Sequence, residues 1–128
     1  MNRDKLNILS KEILDAAIAV HREMGPGLLE AVYQQCLVKE LRMRNILVEV
    51  MVSVPLVYKG QVLHKDYIID ILVENEIILE LKAIEAILPV HEAQIISYLK
   101  LAKKRLGFLI NFNVPLLKNG FKRFVNNF

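Results

Sequence analysis

Between Asp66 and Lys82 the chain sets Asp70, Glu80 and Lys82 into two otherwise apolar runs, Tyr67 to Val73 and Ile77 to Leu81. A carboxylate pair with an ammonium nearby is the equipment of metal-assisted phosphoryl chemistry: hard oxygen donors hold Mg²⁺ or Mn²⁺, and the ammonium orients a water or meets charge developing on a phosphate. Strand alternation puts Asp66, Ile68, Asp70 and Leu72 on one face and Ile78, Glu80 and Lys82 on the matching face of the next run, leaving the opposite faces apolar or aromatic. A three-residue loop of Glu74, Asn75 and Glu76 pairs Val73 with Ile77, Leu72 with Ile78 and Asp70 with Glu80. Directly opposed residues stand about 4.5–5.5 Å apart at Cβ, so both carboxylates reach one ion. The same charges suit the wet face of an antiparallel sheet, but Ile68, Leu72 and Ile78 on that face argue that it is covered.

These residues need a scaffold, and the rest of the chain supplies one. Ser10 is a candidate N-cap for a helix with Ile13, Leu14, Ala17, Ile18 and His21 at helical spacing, ending near Met24 before Gly25-Pro26-Gly27. A second helix is expected from Leu29 to Arg44, with Leu29, Val32, Tyr33, Cys36, Leu37 and Leu41 as its apolar stripe. Alternation from Val48 to Tyr58 predicts a strand whose Pro55 marks an edge or a bulge, and Lys59-Gly60 turns it into the hairpin. Leu88-Pro89 breaks the chain, and a third helix is expected from about Val90 to Lys104, with His91, Gln94, Tyr98 and Leu101 on one face. Leu106 to Phe112 is a last strand, able to return parallel to an earlier one across that helix. Residues 1–9 read as an N-terminal extension, and 114–128 as a tail whose Phe121, Phe124 and Phe128 suggest a docked amphipathic helix. The whole, 128 residues, reads as a single domain of the α/β class.

Composition excludes several other chemistries. Hydrophobic residues at 54% and charged residues at 24% describe a folding chain with some apolar surplus, enough for a homodimer or partner-protein interface. A net charge of +3 tilts toward a polyanionic partner. Cys36 is the only cysteine and three scattered histidines give no zinc-ligand spacing. Gly25-Pro26-Gly27 lacks the further glycines and lysine of a nucleotide-binding loop. With no signal-peptide pattern and no apolar run near 18 residues, the expectation is a cytoplasmic protein off the membrane.

The predicted order αβββαβ, with Asp70 late in the second strand and Glu80-Leu81-Lys82 in the third, resembles the PD-(D/E)XK nuclease superfamily. Ile69 stands where the superfamily name has proline. Gly27-Leu28-Leu29-Glu30-Ala31-Val32-Tyr33 further resembles the motif that names the GxxExxY family of that superfamily, as do Asp70-Ile71-Leu72-Val73-Glu74, His91-Glu92-Ala93-Gln94 through Lys100, and Gly107 to Phe112. The resemblance implies a nuclease-like αβββαβ core, a mixed central sheet flanked by helices. It implies a Mg²⁺- or Mn²⁺-dependent nuclease acting on nucleic acid, DNA ahead of RNA. Glu30, Asp70 and Glu80 would be its metal ligands, Lys82 and Gln94 would complete the catalytic set, and His91, Tyr98 and Lys100 would contact substrate. Lys103, Lys104 and Arg105 would add backbone contacts. Each residue has a plainer role available. Glu30 suits a helix first turn, Lys82 a neutralising ion pair, and Gln94 a backbone hydrogen bond. A non-catalytic nucleic-acid- or protein-binding module on the same fold is the alternative.

Overall fold

A computed structural model describes residues 1–128. The elements are α1 (Arg3–Met24), α2 (Glu30–Met43), β1 (Val48–Tyr58), β2 (Gln61–Val73), β3 (Ile77–Lys82), α3 (Pro89–Ala102), β4 (Leu106–Asn111), a 3₁₀ turn (Leu117–Gly120) and β5 (Phe121–Val125). The strands form one sheet in the order β1-β2-β3-β4-β5, antiparallel except for the parallel pair β3/β4. The αβββαβ core and its mixed sheet are thus as the sequence led one to expect, with β5 added at the β4 edge.

Two apolar layers hold the sheet. On one face α1 and α2 pack Leu6, Ile13, Tyr33, Leu37 and Leu41 against Ile71, Val73, Ile77, Leu79, Leu81 and Ile110. On the other, α3 brings Leu99 onto Tyr67, Ile69, Leu72 and Ile78. Gly107 lets α3 lie close: a Cβ there would meet Ile78 O, Ile95 Cδ1 and Leu99 Cδ2, each at 3.2 Å.

Four expectations are corrected. Ser10 is not an N-cap; Asn2 is, its side chain accepting from Lys5 N–H at 2.8 Å, and Ser10 sits inside α1 with its hydroxyl donating to Leu6 O. Residues 3–9 are therefore helix and not an extension, because Leu6 and Leu9 continue the apolar stripe of Ile13 into the core. Leu29 leaves the stripe of α2: it is the N-cap position and 76% exposed. The tail is a 3₁₀ turn and a strand, since β4 offers an open edge whose backbone groups β5 satisfies, Ile110 pairing with Phe121 and Leu106 with Val125.

The alternation of β2 also departs from the expected pattern. Leu72 does share a face with Ile78, but Tyr67 and Ile69 lie in that α3-side cluster too, whereas Ile71 lies in the α1/α2 core. The alternation therefore switches sides at Asp70, and Asp66 and Ile68 do not share the face of Leu72; Ile68 is 39% exposed. β1 switches at the same level: Val52, Val54 and Leu56 pack toward α3 while Val50 lines a groove with Ala31, Gln34 and Val38 of α2. Between Val50 and Val52, Met51 takes φ +50°, a left-handed conformation that β-strands avoid. Beyond this level β1 and β2 continue as a two-stranded arm, with a register shift between Pro55 and Val57 at the expected bulge.

If residues 3–9 belong to the core, Leu6→Ala should destabilise the protein by roughly 2–5 kcal/mol, as buried leucine truncations do. Chemical denaturation measures this, and a loss well under ~1 kcal/mol would return the segment to the status of an appendage.

Candidate active site

The β2/β3 hairpin adopts the expected register, Val73↔Ile77, Leu72↔Ile78 and Ile71↔Leu79, so the next rung sets Asp70 opposite Glu80. Glu74 and Asn75 turn the loop with φ of 52° and 55°, and Glu76 N–H closes it onto Val73 O at 2.9 Å. At the Asp70/Glu80 rung the side chains cross the strands. Leu81 N–H donates to Asp70 Oδ2 at 2.9 Å, and Asp70 N–H approaches Glu80 Oε1 at 3.4 Å. Each carboxylate spends one oxygen on the opposite backbone. The remaining oxygens, Asp70 Oδ1 and Glu80 Oε2, make no hydrogen bond to the backbone, and the two carboxyl groups lie close enough to interact directly.

The electrostatics record the strain of this pairing. Glu80 is buried, and that burial together with the Asp70 charge pushes its carboxyl up to about 8, against the smaller pull of Lys82. Burial pushes Tyr67 up to about 12, with the Glu80 charge adding to it, and raises Tyr98 in the same way. Both phenols stay protonated at neutral pH beside Glu80. Their rings stack at 4.2 Å, and Tyr67 Oη donates to Tyr98 O at 2.9 Å, which joins β2 to α3 directly over the carboxylates.

Glu30 approaches from the other side. Gly27, at φ +96°, turns the chain out of α1, and α2 begins at Glu30. Tyr33 fixes that start: its hydroxyl donates to Gly25 O at 2.5 Å and accepts from Leu28 N–H at 3.1 Å. Its ring stacks on Phe112 at 4.5 Å, and Phe112 N–H donates to Lys82 O at 2.9 Å. One aromatic contact thus ties the first turn of α2 to the end of β3. Glu30 is half-buried, and its carboxyl is raised by that burial and by Asp70 while Lys82 lowers it, so the three charges feel one another. Lys82 belongs to none of the protein's three ion pairs, and its charge acts on Glu30 and Glu80 from beyond contact distance.

The remaining expected residues are more dispersed. His91 Nδ1 accepts from Leu88 N–H at 2.9 Å and so caps α3. Gln94 is exposed and makes no side-chain hydrogen bond with protein groups, and Lys100 stands two turns further, at the far end of α3. Tyr98 is the member of that face which reaches the carboxylates. Tyr67 was missed, because unbroken alternation assigns it to the face away from Asp70; only the switch at Asp70 brings it over. Gln34 was missed as well, its amide donating to Asp70 O at 3.5 Å.

Whether the site suits a hard divalent cation turns on its donors. No three His, Cys, Asp or Glu side chains converge into a closed ligand set. Asp70 and Glu80 nevertheless fit such an ion, offering two adjacent carboxyl groups in no ion pair and leaving the rest of the shell to water and phosphate as Mg²⁺ prefers.

A mixed sheet with this carboxylate rung, a free lysine one pleat on and helices on both faces defines a protein of nuclease type. The chain belongs to the PD-(D/E)XK nuclease superfamily, whose family model matches residues 7–124. Nucleases of this superfamily typically use divalent metals, and nucleic acid is the substrate the family suggests. No curated protein and no solved structure matches the chain. No helix is long and apolar enough to cross a membrane.

A carboxyl held near 8 when folded and near 4.5 when unfolded binds more protons in the folded state between those values, so metal-free stability falls as pH rises through that window. The loss above it is on the order of several kcal/mol. Glu80→Gln should abolish this slope and be the more stable protein at about pH 9 in EDTA. Urea denaturation from about pH 5 to about pH 9 checks it, and a slope unchanged by the substitution would move the perturbed proton elsewhere.

Proposed function

We propose that the protein is a Mg²⁺- or Mn²⁺-dependent nuclease that hydrolyses phosphodiester bonds of nucleic acid, DNA ahead of RNA, and that it belongs to the GxxExxY branch of its superfamily. The observation that carries this reading is the Asp70/Glu80 rung, two interacting carboxyl groups in none of the protein's ion pairs. The family match supports nuclease chemistry. The motif from Gly27 to Tyr33 supports the branch, since both its named side-chain positions have a physical role here, Tyr33 pinning the turn and Glu30 facing the charges it borders.

In this reading Asp70 and Glu80 hold the ion, with Glu30 at its rim. When bound, a divalent cation here supplies polarisation of the phosphate and a lowered pKa for a coordinated water. Lys82, half-buried and in no ion pair, would place an ammonium where negative charge grows on the phosphoryl oxygens. Tyr98 and Tyr67 stay protonated throughout and so add no further negative charge to the pocket. Leu81 N–H fixes the orientation of Asp70 without help from a mobile side chain.

Cleavage of labelled single- and double-stranded DNA and RNA with Mg²⁺ or Mn²⁺ tests the proposal. Wild type should cut, Asp70→Asn should lose at least about 10³-fold, and Lys82→Ala about 10²-fold, the range lost when one preorganised electrostatic contact to the transition state is removed. Mg²⁺ should also raise the melting temperature of wild type and not of Asp70→Asn. Undiminished cutting by Asp70→Asn would sink the metal assignment; no cutting by wild type with either ion would turn the reading to the non-catalytic module.

A further inference from the structure

A second charged feature lies well away from the carboxylates. Where α3 ends and β5 closes the sheet, Lys100, Lys103, Lys104, Arg105, Asn126 and Asn127 line a cleft of about 640 Å³ with no apolar and no acidic residue in its wall. None of the four cations pairs with a carboxylate. Lys104 donates to Asn75 O and Oδ1, and Arg105 to Met1 O, which orients both on backbone and amide oxygens and leaves their charges unneutralised. Lys100 and Lys103 have exposed side chains without protein partners. In the nearest turn Glu76 pairs with the Met1 ammonium at 3.2 Å and Glu74 accepts from Leu47 N–H at 2.6 Å, and neither pairs with the four cations.

Cations near a helix C-terminus have an ordinary role in meeting its dipole and its free carbonyls. Here that role is already filled. Lys104 N–H bonds Leu99 O at 3.0 Å, Lys103 N–H bonds Lys100 O at 3.3 Å, and Asn126 Nδ2 reaches Lys104 O at 3.1 Å and Leu99 O at 3.4 Å. Four clustered side-chain charges exceed what remains.

We infer that this cleft is a second phosphate-binding site that holds the nucleic-acid backbone at a distance from the cutting point. The inference rests on the nucleic-acid substrate proposed above. Spacing suits it: Glu80 pairs with Leu109 of β4, and Arg105 lies four residues upstream of Leu109, about 13 Å along the strand. That is about four base-pair steps of a duplex. Along this path the exposed flank of α3, with Gln94, Ser97 and Lys100, presents polar groups to a backbone running from the carboxylates to the cleft. The site makes the enzyme prefer substrates long enough to reach both places, and it reads phosphate without reading sequence.

Binding in EDTA tests this independently of any cleavage. Fluorescence anisotropy with oligonucleotides of about 4 and about 20 nucleotides should show wild type holding the longer one more tightly, with an affinity that falls steeply with salt. Lys100→Gln/Lys103→Gln should weaken binding of the long oligonucleotide about tenfold and reduce the log–log salt slope by about 1.4 for single strands or about 1.8 for duplex. Lys5→Gln/Lys11→Gln, which removes the same charge from the exposed side of α1, should change neither, and circular dichroism checks that each variant is folded. Equal losses in both double variants, no loss in the first, or no binding by wild type would each overturn the proposal. Binding of inorganic phosphate at the cleft with no preference for the longer oligonucleotide over the shorter would overturn it too, assigning the cleft to a free anion. Because the metal is chelated, a wild type that binds in this way but never cuts would leave the cleft standing and remove the nuclease.

Discussion

Two like charges pressed together under a helix are the constraint around which this molecule is arranged. Asp70 and Glu80 face each other across one rung, and neither has a cation within ion-pair distance. The fold tolerates them by giving each an N–H from the opposite strand and by leaving Glu80 largely protonated, at the expense of a carboxyl pushed to about 8. A sheet covered on both faces would ordinarily exclude such a pair. Its presence, with Lys82 nearby and in no ion pair, is the feature on which the proposed site rests.

What brings a third acid to that rung is an aromatic contact. The stack of Tyr33 on Phe112 joins the start of α2 to the end of β3, and the Tyr33 hydroxyl folds the Gly25-to-Leu28 turn back beneath it. The motif from Gly27 to Tyr33 is therefore a mechanical unit: glycine supplies the left-handed turn, tyrosine anchors it, and glutamate is delivered at the first position of the helix. A second aromatic pair, Tyr67 on Tyr98, does the same on the α3 side. The site is thus fastened from both layers of the sandwich, each time by a ring on a ring.

Much of this was readable from the chain because it follows from local periodicity. The three-residue loop, the hairpin register, the bulge after Pro55, the end of α1 at Met24 and the parallel return of β4 all rest on side chains close in sequence or on chain connectivity. The misreadings share a different cause, a distant partner or a local irregularity. Ser10 has the chemistry of a cap, but Leu6 and Leu9 carry the helix past it into the core. Phe121 and Phe124 are spaced as on a helix, yet the open edge of β4 decides for strand. Strict alternation misplaces Asp66, Ile68 and Tyr67, since nothing in the letters announces that β1 and β2 both change sides at Met51 and Asp70. Gln94 and Lys100 share a helix with Tyr98, but a position on a helix does not say which residue the packing turns toward the sheet.

That change of sides has a further effect. Pairing of β2 with β3 spans only Ile71 to Val73, while β1 and β2 pair with each other from Val48 to the Tyr58/Gln61 end. Past Asp70 the arm is joined to the body mainly by the tyrosine stack and the apolar contacts of Val52, Val54 and Leu56. Such a segment is a cooperative unit of opening in its own right, with a local free energy below that of the whole molecule. Amide protons from Val52 to Ile69 should accordingly exchange with solvent sooner than those of β3 and β4. The root of this ribbon is Asp70 itself, so the firmness of the arm bears on how that carboxylate is held.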